Sequence, residues 1–170
     1  GIDVSVLGLH WNFAPVPDIN SNPKNPIIKI RAFSGDPRAV AECANSFYQG
    51  LEDAGVIATA KHFPGHGDTH IDSHRELPSI DKSAEEFAST ELIPFKELSS
   101  AGIPSIMTGH IAAPQLATNL GANKDERSLP TTPSSFLTTN LLREQFGFQG
   151  VLITAPLEMH DLPSVIAVPA

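Results

Sequence analysis

The sequence predicts a parallel α/β fold, and three observations carry that prediction. Short apolar runs alternate with helical patterns along the chain. The loops that follow the runs are rich in Gly, Pro, Asp and His, and residues suited to chemistry cluster where each run ends. In parallel α/β folds ligands gather at the carboxyl ends of the strands, so the third observation points to one composite site. Polar residues also terminate strands for purely structural reasons, and that plainer reading stands beside it.

Trp11 to Val16 (WNFAPV) is the first strand-like run, and a turn-rich loop, Pro17 to Pro26, follows it. Asp36-Pro37 reads as an N-cap with proline at the first helical position, opening a helix to about Ala54 that Gly55 stops. Val56 to Ala60 (VIATA) is a buried-strand candidate, ended by Lys61 and His62. Ser83-x-x-Glu86 has the form of a capping box and introduces a helix to about Ser100, with Gly102 beyond it. Ile103 to Thr108 (IPSIMT) is the third strand and runs into Gly109-His110. After a long loop, Ser134 to Phe146 reads as a helix with Phe136, Leu137, Leu141 and Leu142 on one face. Gly150 to Thr154 (GVLIT) is the fourth strand, followed by Ala155.

Composition bounds the function. A chain of 170 residues with 41% hydrophobic content makes one ordinary domain with a real core. The net charge is -8 and the eleven basic residues are scattered, which argues against nucleic acid and anionic membrane as partners. A neutral or weakly charged small molecule suits it better. Cys43 is the single cysteine, so an internal disulfide is excluded. No apolar run reaches the roughly 18 residues of a spanning helix, and the start lacks the pattern of a signal peptide. The default expectation is a cytoplasmic protein.

The densest chemistry lies in KHFPGHGDTHIDSH, Lys61 to His74. His66, His70 and His74 are four apart, a spacing that would align metal ligands on a helix. Pro64, Gly65 and Gly67 disfavour a regular helix there, and no Cys or HExxH accompanies them, so no metal is expected. A second reading pairs Asp72 with His74, since a carboxylate can fix an imidazole's tautomer and raise its basicity. A third is a solvated loop whose histidines only hydrogen-bond.

The same stretch resembles the signature loop of the family 3 glycoside hydrolases of the β-N-acetylglucosaminidase type. NFAPVPD, RAFSGDP, IMTGHI and GVLITAPLEM are similar to four further motifs of that family, in the same order. The resemblance implies an N-terminal catalytic domain of (β/α)8 TIM-barrel type, no cofactor and a small sugar substrate carrying N-acetylglucosamine. Residue by residue, it implies that Asp18, Arg31, Lys61 and His62 bind the sugar, with Met159 matching the last motif. It assigns His74 as general acid/base and Asp72 as the carboxylate that holds it. His66 is expected to shape the turn, and His70 falls where the pattern is free.

The chain departs from the pattern at the fourth strand. A retaining glycosidase needs a carboxylate nucleophile, and Ala155 occupies that position in Thr154-Ala155-Pro156-Leu157-Glu158-Met159. Leu157 and Met159 still match, so the register is kept; Glu158 and Asp161 are the nearest carboxylates. Length is the second departure, because an eight-stranded barrel takes about 250 residues and about four βα units are visible here. Residues 1–170 are therefore expected to form a partial domain, its missing part mainly before Gly1 and the last strand and helix after Ala170. Its open barrel edges invite association, and the tail Pro163 to Ala170 does not continue the pattern. Two function classes follow: a glycosidase or a fragment of one, β-glucosidase specificity being a weaker variant, and a non-catalytic sugar-binding relative.

Overall fold

The protein was analysed as a computed structural model, which describes residues 1–69 and 77–158. Four strands form one parallel sheet in chain order: β1 (Trp11–Asn12), β2 (Ile57–Phe63), β3 (Ser105–Thr108) and β4 (Val151–Thr154). Helices α1 (Ile2–Val6), α2 (Pro37–Glu52), α3 (Ala84–Ser89), α4 (Leu92–Ser100) and α5 (Pro114–Asn119) connect them, with a 3-10 turn at Lys29–Arg31 and a π-helix at Phe136–Gln145. The predicted parallel α/β class is the observed one, as four βα-type units of an incomplete barrel. Among the described residues no helix is long and apolar enough to cross a membrane.

Local chemistry explains most boundaries. Asp36 caps α2 by accepting the Ala39 N–H, with Pro37 at the first helical position. Ser83 and Glu86 form the capping box reciprocally. Gly55 takes φ +70 just past α2, as the predicted stop requires.

Three expectations are corrected. The helix predicted from Ser83 to Ser100 is two helices, broken at Thr90 and Glu91. Pro94 supplies the reason: it has no N–H to give the Thr90 carbonyl, and its ring would crowd that oxygen if one helix ran through. The first strand is shorter than Trp11 to Val16, because Pro15 and Pro17 cannot donate to a ladder. Its carbonyls still serve β2, since Thr59 N–H donates to Ala14 (2.9 Å) and Lys61 N–H to Pro15 (3.2 Å). The helix expected over Ser134 to Phe146 is wound wider, with Phe146 N–H reaching back five residues to the Leu141 carbonyl (3.0 Å).

The core lies between sheet and helices, where Phe63, Phe87, Phe95 and Phe148 are fully buried. Phe63 and Phe95 meet edge to face, 5.5 Å apart. Ala58, Thr59 and Ala60 of β2 are buried, as expected of a central parallel strand. Trp11, Phe13, Ile57 and Val151 stay exposed. The parallel registers bring the carboxyl ends of β2, β3 and β4 together.

Candidate functional site

β2 extends through Lys61, His62 and Phe63, so the first residues of the histidine-rich stretch stand on the sheet rather than in a loop. Beside them lies a cavity of about 540 Å³ lined by residues that include Arg31, Lys61, His62, His66, His110 and Ala155. Arg31 arrives from the 3-10 turn, His110 from just past β3, and Ala155 from just past β4. A larger cavity of about 890 Å³ lies among the helices, bordered by Arg38, Leu92 and Phe146. It has no histidine in its lining and sits away from the strand ends, whereas the residues singled out from the sequence gather at the smaller one.

Asp18 sits beneath the cavity, fully buried. Its Oδ1 accepts the backbone N–H of His66 (2.7 Å) and that of His62 (3.3 Å), while Oδ2 meets His62 Nδ1 at 2.8 Å. A carboxylate only accepts, so Nδ1 carries the hydrogen and Nε2 is the ring's remaining polar atom. The His62 and His66 rings meet at 81°, 5.7 Å apart.

Asn25 is a functional support that sequence reasoning missed. Its buried side chain donates to the carbonyls of His66 (2.7 Å) and Gly67 (3.0 Å), and its Oδ1 accepts from Ile27 and Ile28 (both 2.8 Å). These partners to the histidine loop lie 41 and 42 residues away, so no local pattern announces them. Thr69 completes the knot, its Oγ1 donating to the His66 carbonyl (3.0 Å) and meeting His66 Nδ1 (2.6 Å). Gly67 is required here because a Cβ would stand 1.6 Å from the Ile19 carbonyl oxygen.

A charged clamp holds the same loop from the side. Lys82 Nζ lies 2.8 Å from Asp68 Oδ2 and 2.8 Å from Oε1 of the buried Glu91. Burial pulls the Lys82 pKa down, but the hydrogen bonds it donates to Asp68 and Glu91 outweigh that and the net shift is upward.

Electrostatics divide the cavity's basic groups. Burial pushes the Lys61 pKa down, the Arg31 guanidinium adds to that, and Asp18 opposes it. His66 is also shifted down by burial, against the pull of Asp18. His110 is shifted down by burial, with the carbonyls of Pro156 and Ala155 opposing.

The structure thus brings Arg31, Lys61, His62 and Ala155 to one cavity and sets Asp18 behind His62. Ala155 is buried, and its N–H donates to the Thr108 carbonyl (3.1 Å). Glu158 also lines the cavity. Asp72, His74, His70, Met159 and Asp161 lie outside the described residues. His66, assigned to the turn, has its backbone and ring in the knot beneath the cavity.

Comparison with known proteins gives this arrangement a family. Residues 1–167 match the model described as the glycosyl hydrolase family 3 N terminal domain. Beta-hexosaminidase A of Pseudoalteromonas piscicida is 43% identical over 165 residues, covering 95% of this chain and 28% of that protein. A beta-N-acetylglucosaminidase/beta-glucosidase of Cellulomonas fimi is 32% identical, over 98% of this chain and 30% of its own length. A solved family 3 beta-N-acetylglucosaminidase from Paenibacillus sp. str. FPU-7 superposes with a TM-score of 0.88 at 41% identity, over 96% of this chain and 30% of that one. The chain therefore spans less than a third of the length of these relatives. It belongs to glycoside hydrolase family 3, matching the family's N-terminal domain, and resembles the family's β-N-acetylglucosaminidases.

Proposed function

We propose that this domain binds a terminal β-linked N-acetylglucosamine in the cavity at the ends of β2, β3 and β4, and does not hydrolyse it by the retaining route. The single observation that carries the proposal is the pairing of an intact binding floor with Ala155 in one cavity. Lys61 and Arg31 offer charged donors to the sugar's hydroxyls, and His62, its Nδ1 hydrogen held by Asp18 from beneath, presents Nε2 to them. Asp72 and His74 are assigned, from the motif, to proton transfer at the departing oxygen. A retaining reaction then needs a carboxylate to attack the anomeric carbon, and the methyl group of Ala155 has no lone pair to give.

A second reading keeps the hydrolase. Glu158 lines the same cavity, three residues beyond the nucleophile position, and supplies the one carboxylate on that wall among the described residues. Isothermal titration with N-acetylglucosamine, run beside a chromogenic β-N-acetylglucosaminide assay, separates the two readings. Binding without turnover is the expected result. Turnover that Glu158→Gln abolishes would establish the second reading, and absence of sugar binding would overturn both.

A further inference from the structure

His110 lines the cavity at a strand end, and the proposed chemistry leaves it unused. It is 3% exposed and stands two residues past β3. Its Nε2 lies 3.0 Å from the Pro156 carbonyl oxygen, and its Nδ1 lies 2.7 Å from Thr132 Oγ1.

We propose that His110 is a positioning residue: as the neutral, Nε2-protonated tautomer it holds the Ala155–Pro156 turn as the wall of the sugar cavity. The inference rests on the reading of that cavity as the sugar site. β4 ends at Thr154, and the next backbone bond, Ala155 N–H to the Thr108 carbonyl, is the last the sheet can offer. Pro156 has no N–H, so only its carbonyl can be held, and a side chain must do it. His110 reaches across from β3 to do so.

The proton order follows from the partners. A carbonyl only accepts, so the ring hydrogen sits on Nε2 and Nδ1 is bare. Nδ1 then accepts the Thr132 hydroxyl hydrogen, and the Thr132 oxygen accepts from Thr108 Oγ1, 3.0 Å away, in preference to the longer 3.4 Å contact of that hydroxyl with the Ile153 carbonyl. Each hydroxyl hydrogen is used once, and the chain ends at the carbonyl after Ala155. An imidazolium would turn a second donor on Thr132 and force that order to reverse. Burial, which disfavours the charged ring, agrees with the neutral form.

Long-range ¹H–¹⁵N correlation at neutral pH reads the tautomer on the wild-type protein and is expected to show the hydrogen on Nε2. Amide exchange and titration with N-acetylglucosamine then read the consequence in variants. His110→Phe keeps an aromatic ring but loses both bonds; Ala155 amide exchange should accelerate about tenfold and sugar affinity fall about tenfold. The Val151 amide, bonded to the Pro104 carbonyl at the far end of β4, should not change. His110→Gln retains a donor to Pro156 and should recover most of both losses. An Nδ1-protonated or charged ring in the wild type overturns the assignment, as does an unchanged Ala155 amide in His110→Phe. Failure of the wild type to bind sugar sinks the sugar reading alone, because tautomer and exchange still decide what holds the turn.

Discussion

The two sides of the cavity are built to different standards. At the end of β2 the buried polar groups beneath the cavity are tied down: Asp18, Asn25, His66 and Thr69 are bonded to one another or to the backbone between them. At the exit of β4, Pro156, Leu157 and Glu158 are exposed, and the turn hangs on one backbone bond and one histidine. The floor can hold a ligand without rearranging, which is what preorganised recognition requires. The wall is where the proposed reading needs the nucleophile of a retaining reaction, and position 155 there carries a methyl group. On that reading recognition and bond-breaking fall to separable parts of the same sheet edge, and one part can change while the other stays.

The sharpest way to break that comparison is to restore the wall. Ala155→Asp should raise turnover of a chromogenic β-N-acetylglucosaminide on the order of 10⁴-fold, about 5.4 kcal/mol of barrier, with sugar affinity little changed. The new carboxylate enters a position whose backbone is already fixed by the Thr108 carbonyl. Unchanged turnover beside intact sugar binding would mean that more than the nucleophile is missing.

Breaking the floor should instead cost the fold. Gly67→Ala would drive a Cβ into the Ile19 carbonyl, a backbone atom that cannot swing aside, and the loop would have to lift off Asn25. We expect about 3 kcal/mol of lost stability in urea unfolding, with sugar binding lost in parallel. A variant as stable as the wild type would show that the floor is not rigid.

How much of this the chain announces depends on the range of each interaction. The Ser83–Glu86 capping box and the Asp36–Pro37 start are readable because their partners lie three residues apart. The alternation of strands and helices is readable for the same reason, and it places Lys61, His62 and His110 at strand ends. Pro94 carries the signal for the break at Thr90, four residues upstream, but a capping box alone announces a helix start and says nothing of its length. The π-helix was hidden because Leu137, Leu141 and Leu142 recur at spacings that suit an ordinary helix too. Asn25 and Lys82 act on the histidine loop through tertiary contacts, and composition does not distinguish them from any loop asparagine or surface lysine.

A milder perturbation tests orientation within the floor. Asp18→Asn preserves size but removes the charge that three N–H groups share, and one end of the amide would present a donor to a donor. Sugar affinity should fall by about 2 kcal/mol in titration, roughly 30-fold, with the larger part reflecting a misaligned His62. An affinity equal to that of the wild type would remove Asp18 from the binding machinery and leave it a purely structural anchor.

The smallest effect is set by pH and again separates the two sides. His66 is held below its ordinary pKa of about 6.5, chiefly by burial, so the unfolded chain takes up a proton that the folded chain resists. The contribution is fully present above about pH 6.5 and is lost as pH falls toward the depressed folded value. Stability should therefore decline on acidification from neutral, by less than the roughly 1.4 kcal/mol per pH unit that one fully withheld proton gives. His110 is shifted in the same direction, so the two sides contribute additively to the slope unless one is removed. Unfolding measured across pH 5 to 7.5 for the wild type and for His66→Gln assigns the shares. If the knot beneath the cavity is the better buried of the two, its variant flattens the slope more than His110→Gln does. An equal effect of the two variants would place as much constraint at the β4 exit as at the floor, and the division between a rigid binding side and a lightly held reactive side would fail.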